Sequence, residues 1–288
     1  MTVDDRRSDL KKIIMDTKTL PTLPGVITKL NSLSENDKAS VQEMARIVSS
    51  DQVLSARILR LANSPSYGFY RVSTISNAMI LLGVNVVKSL ALSSSIFEIM
   101  EKNSVGLWEH SLGAATAANI IAKKLGIHEV EEIATAGLLH DIGKVIIGLK
   151  CADGVLEIRR RIKADQLYIR DAERQVLDTD HAEVGGWLAK SWFLPEKLSE
   201  PIACHHDLTL SEDHRVKTAV VHLADVLIKA SGFGDSGEPY VPAIHPMAWD
   251  ILKLDEKMLE EMVVELEDKL IEVKNFSLEM QIADTIET

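Results

Sequence analysis

The chain of 288 residues carries nine histidines, and several of them fall at positions where an imidazole faces inward. His110 shares a helical face with Ala114, Ala117 and Ile121. His140 and Asp141 stand together in Ala136-Gly-Leu-Leu-His-Asp-Ile-Gly-Lys144, where His140 continues the apolar stripe of Ile133, Ala136 and Gly137. A carboxylate buried beside Leu139 and Ile142 is expensive without a compensating cation or strong hydrogen bonds, so Asp141 calls for a metal or an equivalent partner. His181 opens a helix whose same face carries Val184, Leu188 and Trp192. His205-His206 closes the apolar turn Pro201-Ile-Ala-Cys, and Asp225 lies between Val221 and Ile228 on an inner stripe. Each position alone also has an ordinary structural account, as a capping histidine, a core imidazole, an exposed dipeptide or a hydrogen-bonded aspartate. Together they offer imidazoles and carboxylates from separate helices, a donor set suited to one or two divalent transition metals such as Fe, Mn, Ni or Zn.

The other histidines are read more plainly. His222 shares the face of Asp225, and a hydrogen bond to that carboxylate is expected. His128, His214 and His245 stand in polar or turn-like surroundings and are expected to face solvent. Trp187 and Trp192 are expected to pack in the core, and Cys151 and Cys204 to be buried or half-buried free thiols. Lys144, one turn beyond His140, is either a cation for a phosphate group or an exposed lysine at a helix end, where the macrodipole favours it.

The elements that must position these residues are helical. Apolar residues recur at three- and four-residue spacing almost throughout, with no run of strict alternation, so the fold class is all-α, two packed helical lobes. Ser40 with Glu43 forms a capping box that opens a helix turning Met44, Ile47 and Val48 inward. Asp51 caps a second with Leu54, Ile58 and Leu61. Asn63-Ser-Pro-Ser-Tyr-Gly68 breaks the chain, and helices follow over 76–82 and 85–100. A polar break at 102–106 divides the chain into an N-terminal lobe, 1–105, and a second lobe, 106–231. The second lobe holds helices around 108–124, 130–140, 154–168, 181–193, 196–206 and 215–231. The remainder, 232–288, begins with a Gly- and Pro-rich loop over 232–246 that could lie over a pocket. It ends in a helix near 255–273, whose face of Leu259, Met262, Leu266, Leu270 and Val273 is expected to pack on the body or on a partner.

Composition narrows the function. Lys and Arg number 32 against 43 Asp and Glu, and the formal charge of −11 argues against nonspecific binding to nucleic acid or to an anionic membrane. Two cysteines supply neither a disulfide framework nor a thiolate zinc cluster, which suits a reducing compartment. The N-terminal residues are polar, with no apolar stretch of signal-peptide or membrane-spanning character, so a soluble cytoplasmic protein is expected.

The order His110, His140-Asp141, His181, His205-His206 and Asp225 resembles the pattern of the HD metal-dependent phosphohydrolase superfamily, including the fuller ligand set of the binuclear HD-GYP phosphodiesterases. The first lobe is similar to the HDOD branch specifically. Leu20-Pro-Thr-Leu-Pro24, Leu61-Ala-Asn-Ser64 with the following Pro-Ser-Tyr-Gly, and Ala78-Met-Ile-Leu-Leu-Gly83 stand where that family's signatures stand, and the likeness runs over about residues 15–230. The resemblance implies an HD-type helical bundle in the second lobe. It also implies that His110, His140, Asp141 and Asp225 hold one metal, while Asp141 bridges to a second held by His181, His205 and His206. Asp141 and Lys144 become the candidate catalytic residues, since two ions joined by a carboxylate activate water and clamp phosphate oxygens. After His205-His206, however, comes Asp207-Leu-Thr-Leu-Ser211, where the cyclic-dinucleotide phosphodiesterases carry a glutamate and then a Gly-Tyr-Pro segment. The resemblance therefore implies a signalling module with a protein partner and a phosphate-containing small ligand before it implies a cyclic di-GMP hydrolase. A metal-dependent phosphohydrolase acting on a nucleotide or other phosphate ester is the alternative.

Overall fold

The structure is a computed structural model, in which residues 3–15, 41–49, 58, 62, 72–82, 106–191 and 194–286 are described. All regular structure among them is helical. The chain forms two compact units, one of residues 1–20 and 100–288 and the other of residues 21–99. The first twenty residues thus group with the larger unit. The polar break expected at 102–106 falls outside the described residues up to Gly106, as do the Leu20–Pro24 signature, Asn63–Gly68, Asp51, the helix expected over 85–100, and Trp192.

In the smaller unit, α2 (Val41–Ser49) packs on α3 (Ile75–Leu82). Met44, Ala45 and Val48 meet Ile75, Ala78, Met79 and Leu82 in its buried set, and Ile47 is half-buried. The Thr74 hydroxyl accepts from the Asn77 N–H and so caps α3 at 3.2 Å.

The larger unit opens with α1 (Val3–Met15), then α4 (Leu107–Lys124), α5 (Val130–Leu139), α6 (Ile142–Lys150), α7 (Ala152–Asp165) and α8 (Ile169–Leu177). It continues with α9 (His181–Ser191), α10 (Glu196–Cys204), α11 (Arg215–Ser231), α12 (Pro246–Leu252) and α13 (Glu256–Ile286). The core lies between α4, α5 and α11, where Ala114, Ala117, Ala118, Ile121, Ile133, Val221 and Ile228 are buried. Met262, Leu266 and Leu270 of α13 join that same core, so the last helix is fixed to the body, with Lys124 and Glu261 paired at 3.0 Å alongside. It runs further than the 255–273 expected. On the other side α1 packs on α8 and α9, its Leu10 and Ile14 buried and its Arg7 and Lys11 lying over the Trp187 ring.

Small residues at three crossings determine how closely the helices approach. A Cβ on Gly137 of α5 would lie 3.0 Å from the Ala114 carbonyl oxygen of α4, and one on Gly186 of α9 would lie 2.6 Å from the Ala203 Cβ of α10. The tightest crossing is α6 on α9, where a Cβ on Gly143 would stand 1.9 Å from the carbonyl oxygen of His181. These contacts bring α4 to α5, α9 to α10 and α6 to α9, the pairs of elements that carry or adjoin the inward histidines and Asp141.

The two glycines of α6 give opposite expectations. Gly143→Ala should lower stability by about 3 kcal/mol, because backbone rather than a flexible side chain stands in the way. Gly148→Ala meets nothing within 4 Å and should raise stability by about 0.5–1 kcal/mol through the better helix propensity of alanine. Thermal or denaturant unfolding of the two variants beside the wild type checks the pair, and equal effects would contradict the crossing described.

Candidate metal centre

Asp141 sits between α5 and α6 with no solvent exposure, and its two carboxylate oxygens face different groups of imidazoles. Oδ2 lies 3.5 Å from His110 Nε2 and 3.4 Å from His140 Nε2. Those nitrogens are themselves 3.3 Å apart, and Asp225 Oδ1 of α11 closes the group at 3.2 and 3.3 Å. Oδ1 of Asp141 lies 3.2 Å from His181 Nε2 and 3.9 Å from His205 Nε2, and His181 Nε2 is 2.7 Å from His206 Nε2. The structure thus brings all seven metal-ligand candidates together in two sets that share Asp141, each with its donor atoms within 4.8 Å of one another. All seven are buried apart from the half-buried His206.

The imidazoles are aimed by their outer nitrogens. His140 Nδ1 donates to the Gly137 carbonyl at 2.7 Å, and His205 Nδ1 to the Ile202 carbonyl at 2.8 Å. Each ring folds back on the last turn of the helix it follows, and satisfies a carbonyl that would otherwise lack a partner there. His181 Nδ1 donates to Glu173 Oε2 at 2.6 Å, and the same oxygen accepts the His181 backbone N–H at 2.9 Å. Because a carbonyl or carboxylate oxygen only accepts, a proton stays on Nδ1 and Nε2 turns inward, where its lone pair is available to an ion once Nε2 is free of its own proton, the arrangement by which outer hydrogen bonds orient metal-binding histidines. Asp180 secures the start of α9: it accepts the Glu183 N–H at 2.9 Å and pairs with Arg170 and Arg174.

Two lysines complete the charge pattern. Lys144 is held inside, its Nζ 2.6 Å from Asp141 Oδ2 and 2.9 Å from the Ser236 carbonyl. Its side chain is 8 % exposed, so it is not an open lysine at a helix end. Lys229, which sequence reasoning missed, donates to Asp225 Oδ2 at 2.7 Å from one turn further along α11. Burial opposes ionisation of both aspartates, but His140 and Lys144 around Asp141, and Lys229 with His110 and His140 around Asp225, hold both carboxyls well below the ordinary range. Burial drives His205 and His206 well below the usual imidazole value and lowers His110. It also opposes charge on His140, yet Asp141 and Asp225 outweigh it and raise that ring to about 9.

His222 does not reach Asp225. Its Nε2 accepts the His245 N–H at 2.9 Å and its Nδ1 donates to the His205 carbonyl at 2.8 Å, so it joins the loop before α12 to the segment carrying His205. His128 is exposed as expected, whereas His214 and His245 are half-buried; His245 caps α12 by accepting the Met247 N–H. Cys204 is buried and Cys151 half-buried, both as free thiols. The residues 232–245 form an irregular loop that reaches the site through Ser236.

The donor set fits a divalent cation on its own chemistry. Ligand atoms about 2.1 Å from one ion stand roughly 3.0–3.4 Å apart, the spacing found around Asp141 Oδ2 and Asp225 Oδ1. His205 Nε2 and Asp141 Oδ1 are buried with no hydrogen-bond partner, a costly state for two polar atoms that point at the same place. His110, His140, Asp141 and Asp225 would hold one ion, and Asp141, His181, His205 and His206 a second. Bound there, such ions would polarise phosphoryl oxygens and lower the pKa of water.

The HDOD domain family matches residues 20–208. An uncharacterised protein of Treponema pallidum (strain Nichols) is 26% identical over 232 residues, which are 77% of this chain but 44% of that protein, so the chain spans less than half the length of this relative. Among solved structures, an HDOD domain protein with unknown function from Geobacter sulfurreducens is 27% identical. Its TM-score is 0.78, and the match covers 95% of this chain and 97% of that one. A proposed phosphohydrolase from Shewanella amazonensis SB2B is 25% identical with a TM-score of 0.65 over 90% of this chain and 98% of that one. A proposed signal transduction protein from Marinobacter aquaeolei VT8, 20% identical with a TM-score of 0.79 over 97% of this chain and 66% of that one, shares the fold. Among the described residues no helix is long and apolar enough to cross a membrane.

Substitution of Asp141 by alanine should remove most bound metal, because both sets lose a donor, whereas His206→Ala should leave the set around Asp225 loaded. Elemental analysis of protein purified without chelators distinguishes the two. Metal uptake should also release a proton from His140, so apparent affinity should rise with pH up to about 9. Titration calorimetry in buffers of different ionisation enthalpy measures that release, and an affinity that falls with rising pH would contradict it.

Proposed function

The chain belongs to the HDOD family, and on that footing we propose that it is a signalling protein whose divalent-metal pocket binds a phosphate-containing small ligand and communicates its state to a protein partner. One observation carries this reading. Two buried carboxylates, Asp141 and Asp225, are each already paired with a half-buried lysine, Lys144 and Lys229, whose side chains are 8 % and 4 % exposed. A divalent cation added to those pairs leaves positive charge in a closed site, and an anion of phosphate type balances it. Lys229 stands on the oxygen of Asp225 turned away from the imidazoles, and Lys144 on Oδ2 of Asp141, the oxygen that also faces His110 and His140; both ammonium groups lie beside the donor sets where such an anion would be held.

The route to a partner runs through the chain around the pocket. His222 connects the segment of His205 to residue 245, Lys144 connects Asp141 to Ser236, and α9 carries both His181 and the surface on which α1 lies. A ligand changes partner binding only by favouring one of two arrangements of such elements, and these links are the ones that ligand occupancy would bias.

Hydrolysis of a phosphate ester is the second reading. The two donor sets sharing Asp141 favour it, and the similarity to the Shewanella amazonensis protein is in keeping with it. Against efficient hydrolysis of cyclic di-GMP stands the segment Asp207–Ser211, which folds into a short 3-10 turn at Leu208–Leu210 capped by Asp207 in place of a Gly-Tyr-Pro segment.

Protein loaded with Mn2+ should bind inorganic phosphate, and His140→Ala should weaken that binding at least tenfold. The same loaded protein should cleave cyclic di-GMP no faster than the His140→Ala variant. Calorimetry and product chromatography check the two, and robust turnover of cyclic di-GMP abolished by His140→Ala would overturn the regulatory reading in favour of the enzyme.

A further inference from the structure

The loop over residues 232–245 is a wall pinned beside the metal-ligand groups. The Asp235 N–H donates to the Gly106 carbonyl at 2.9 Å, the Ser236 carbonyl accepts from Lys144 Nζ at 2.9 Å, and Glu238 Oε2 accepts the Ile169 N–H at 3.0 Å. Two residues beyond Glu238 and one before Ile169, the rings of Tyr240 and Tyr168 meet edge to face, with centroids 5.9 Å apart and an interplanar angle of 80°. Along this wall exposure rises outward. Ser236 is buried at the lysine, Glu238 is half-buried, and the two tyrosines are 41 % and 42 % exposed.

Three kinds of chemistry are therefore set in order. Innermost are Lys144 and Lys229 beside the metal-ligand aspartates, which suit a phosphate. Next is Glu238, whose Oε1 is buried and has no hydrogen-bond partner, although the carboxyl lies within the fields of Lys229, Lys144 and His181. An unpaired buried carboxyl oxygen is costly unless something donates to it, and a hydroxyl of a bound ligand is such a donor. Outermost is a pair of aromatic faces open to solvent, large surfaces on which a planar heterocycle stacks with little regard to its identity.

We propose that this wall is a nucleotide subsite, with the phosphate of a nucleoside monophosphate at Lys144 and Lys229, its ribose hydroxyls on Glu238 Oε1, and its base stacked on one of the Tyr168 and Tyr240 rings and edge-on to the other. The proposal rests on the phosphate-binding reading of the pocket and adds to it the class of molecule that the phosphate belongs to. Tyr168 and Tyr240 supply affinity for the base, Glu238 supplies selection for the sugar, and none of the three is a metal ligand.

The test compares inorganic phosphate, adenosine 5′-monophosphate and guanosine 5′-monophosphate by titration calorimetry on the full Mn2+-loaded chain. At least one nucleotide should bind ten times or more tighter than phosphate. Tyr168→Ala and Tyr240→Ala should each lose about tenfold of nucleotide affinity, in the range that removal of a stacking ring produces. Their phenylalanine counterparts should retain it, and phosphate binding should be unchanged in all four. Glu238→Gln should weaken the ribonucleotide more than its 2′-deoxy form. Phosphate bound as tightly as either nucleotide, or alanine variants that keep full nucleotide affinity, would overturn the subsite while leaving the phosphate pocket in place; the tyrosines would then serve only to latch the loop. A wild type that binds neither phosphate nor nucleotide would overturn the pocket reading itself, and the subsite with it. Metal content and unfolding temperature measured on every variant separate a lost contact from a lost fold.

Discussion

A fully buried carboxylate costs several kcal/mol to keep ionised unless positive charge and donors surround it, and Asp141 is ionised at zero exposure. The larger unit can be understood as the set of elements that meet this requirement. Four imidazole nitrogens stand within 4 Å of its two oxygens, and Lys144 donates to one of them. Asp225 repeats the arrangement on a smaller scale with His110, His140 and Lys229. The partners come from several parts of the chain, so the demands of these two side chains couple α4, α5, α6, α9, α10 and α11.

Those partners are useful only if they approach within hydrogen-bond range and present the correct atom. Steric room at Gly137, Gly143 and Gly186 sets the approach, and the outer bonds of His140, His205 and His181 set the presentation. The two requirements are met independently. A helix crossing fixes where a ring can be, while a carbonyl or the Glu173 carboxylate fixes which nitrogen it offers. The site is thereby preorganised by backbone and by these outer hydrogen bonds, with little left to side-chain flexibility.

Much of this was legible in the amino-acid sequence, for a definite reason. His110, His140, His181 and Asp225 interrupt otherwise apolar helical stripes, and a polar residue on an inward face is visible to periodicity alone. Helices over 107–124, 130–139, 181–191, 196–204 and 215–231 followed the same logic. What escaped was decided by tertiary contact. The helix Ile142–Lys150 is rich in β-branched residues and glycine and has no side-chain cap, so its local propensity is poor. Glu173 meets His181 across a corner of eight residues, where no helical period connects them. His222 occupies the expected face beside Asp225, but its ring bonds the backbone of the neighbouring helix segment instead. Lys229 was within reach of sequence reasoning, since an aspartate followed four residues later by a lysine on one helix is a recognisable pair.

The span of the donor set along the chain bears on how the protein comes into being. His110 and Asp225, which touch, are 115 residues apart, and Lys144 and the Ser236 carbonyl are 92 apart. In a short zinc-binding module the ligands are near neighbours, and the ion itself can gather an unfolded chain. Here the loop to be closed before a second ligand arrives is most of a domain, and contacts of such separation form late. The polypeptide must therefore assemble its core on hydrophobic packing first, with the carboxylates provisionally balanced by lysines and a protonated imidazole, and the cation enters a scaffold already built. On this view Lys144 and Lys229 act as internal counterions during biogenesis as well as groups of the finished site, and keep two buried acids tolerable through the interval before any metal is present.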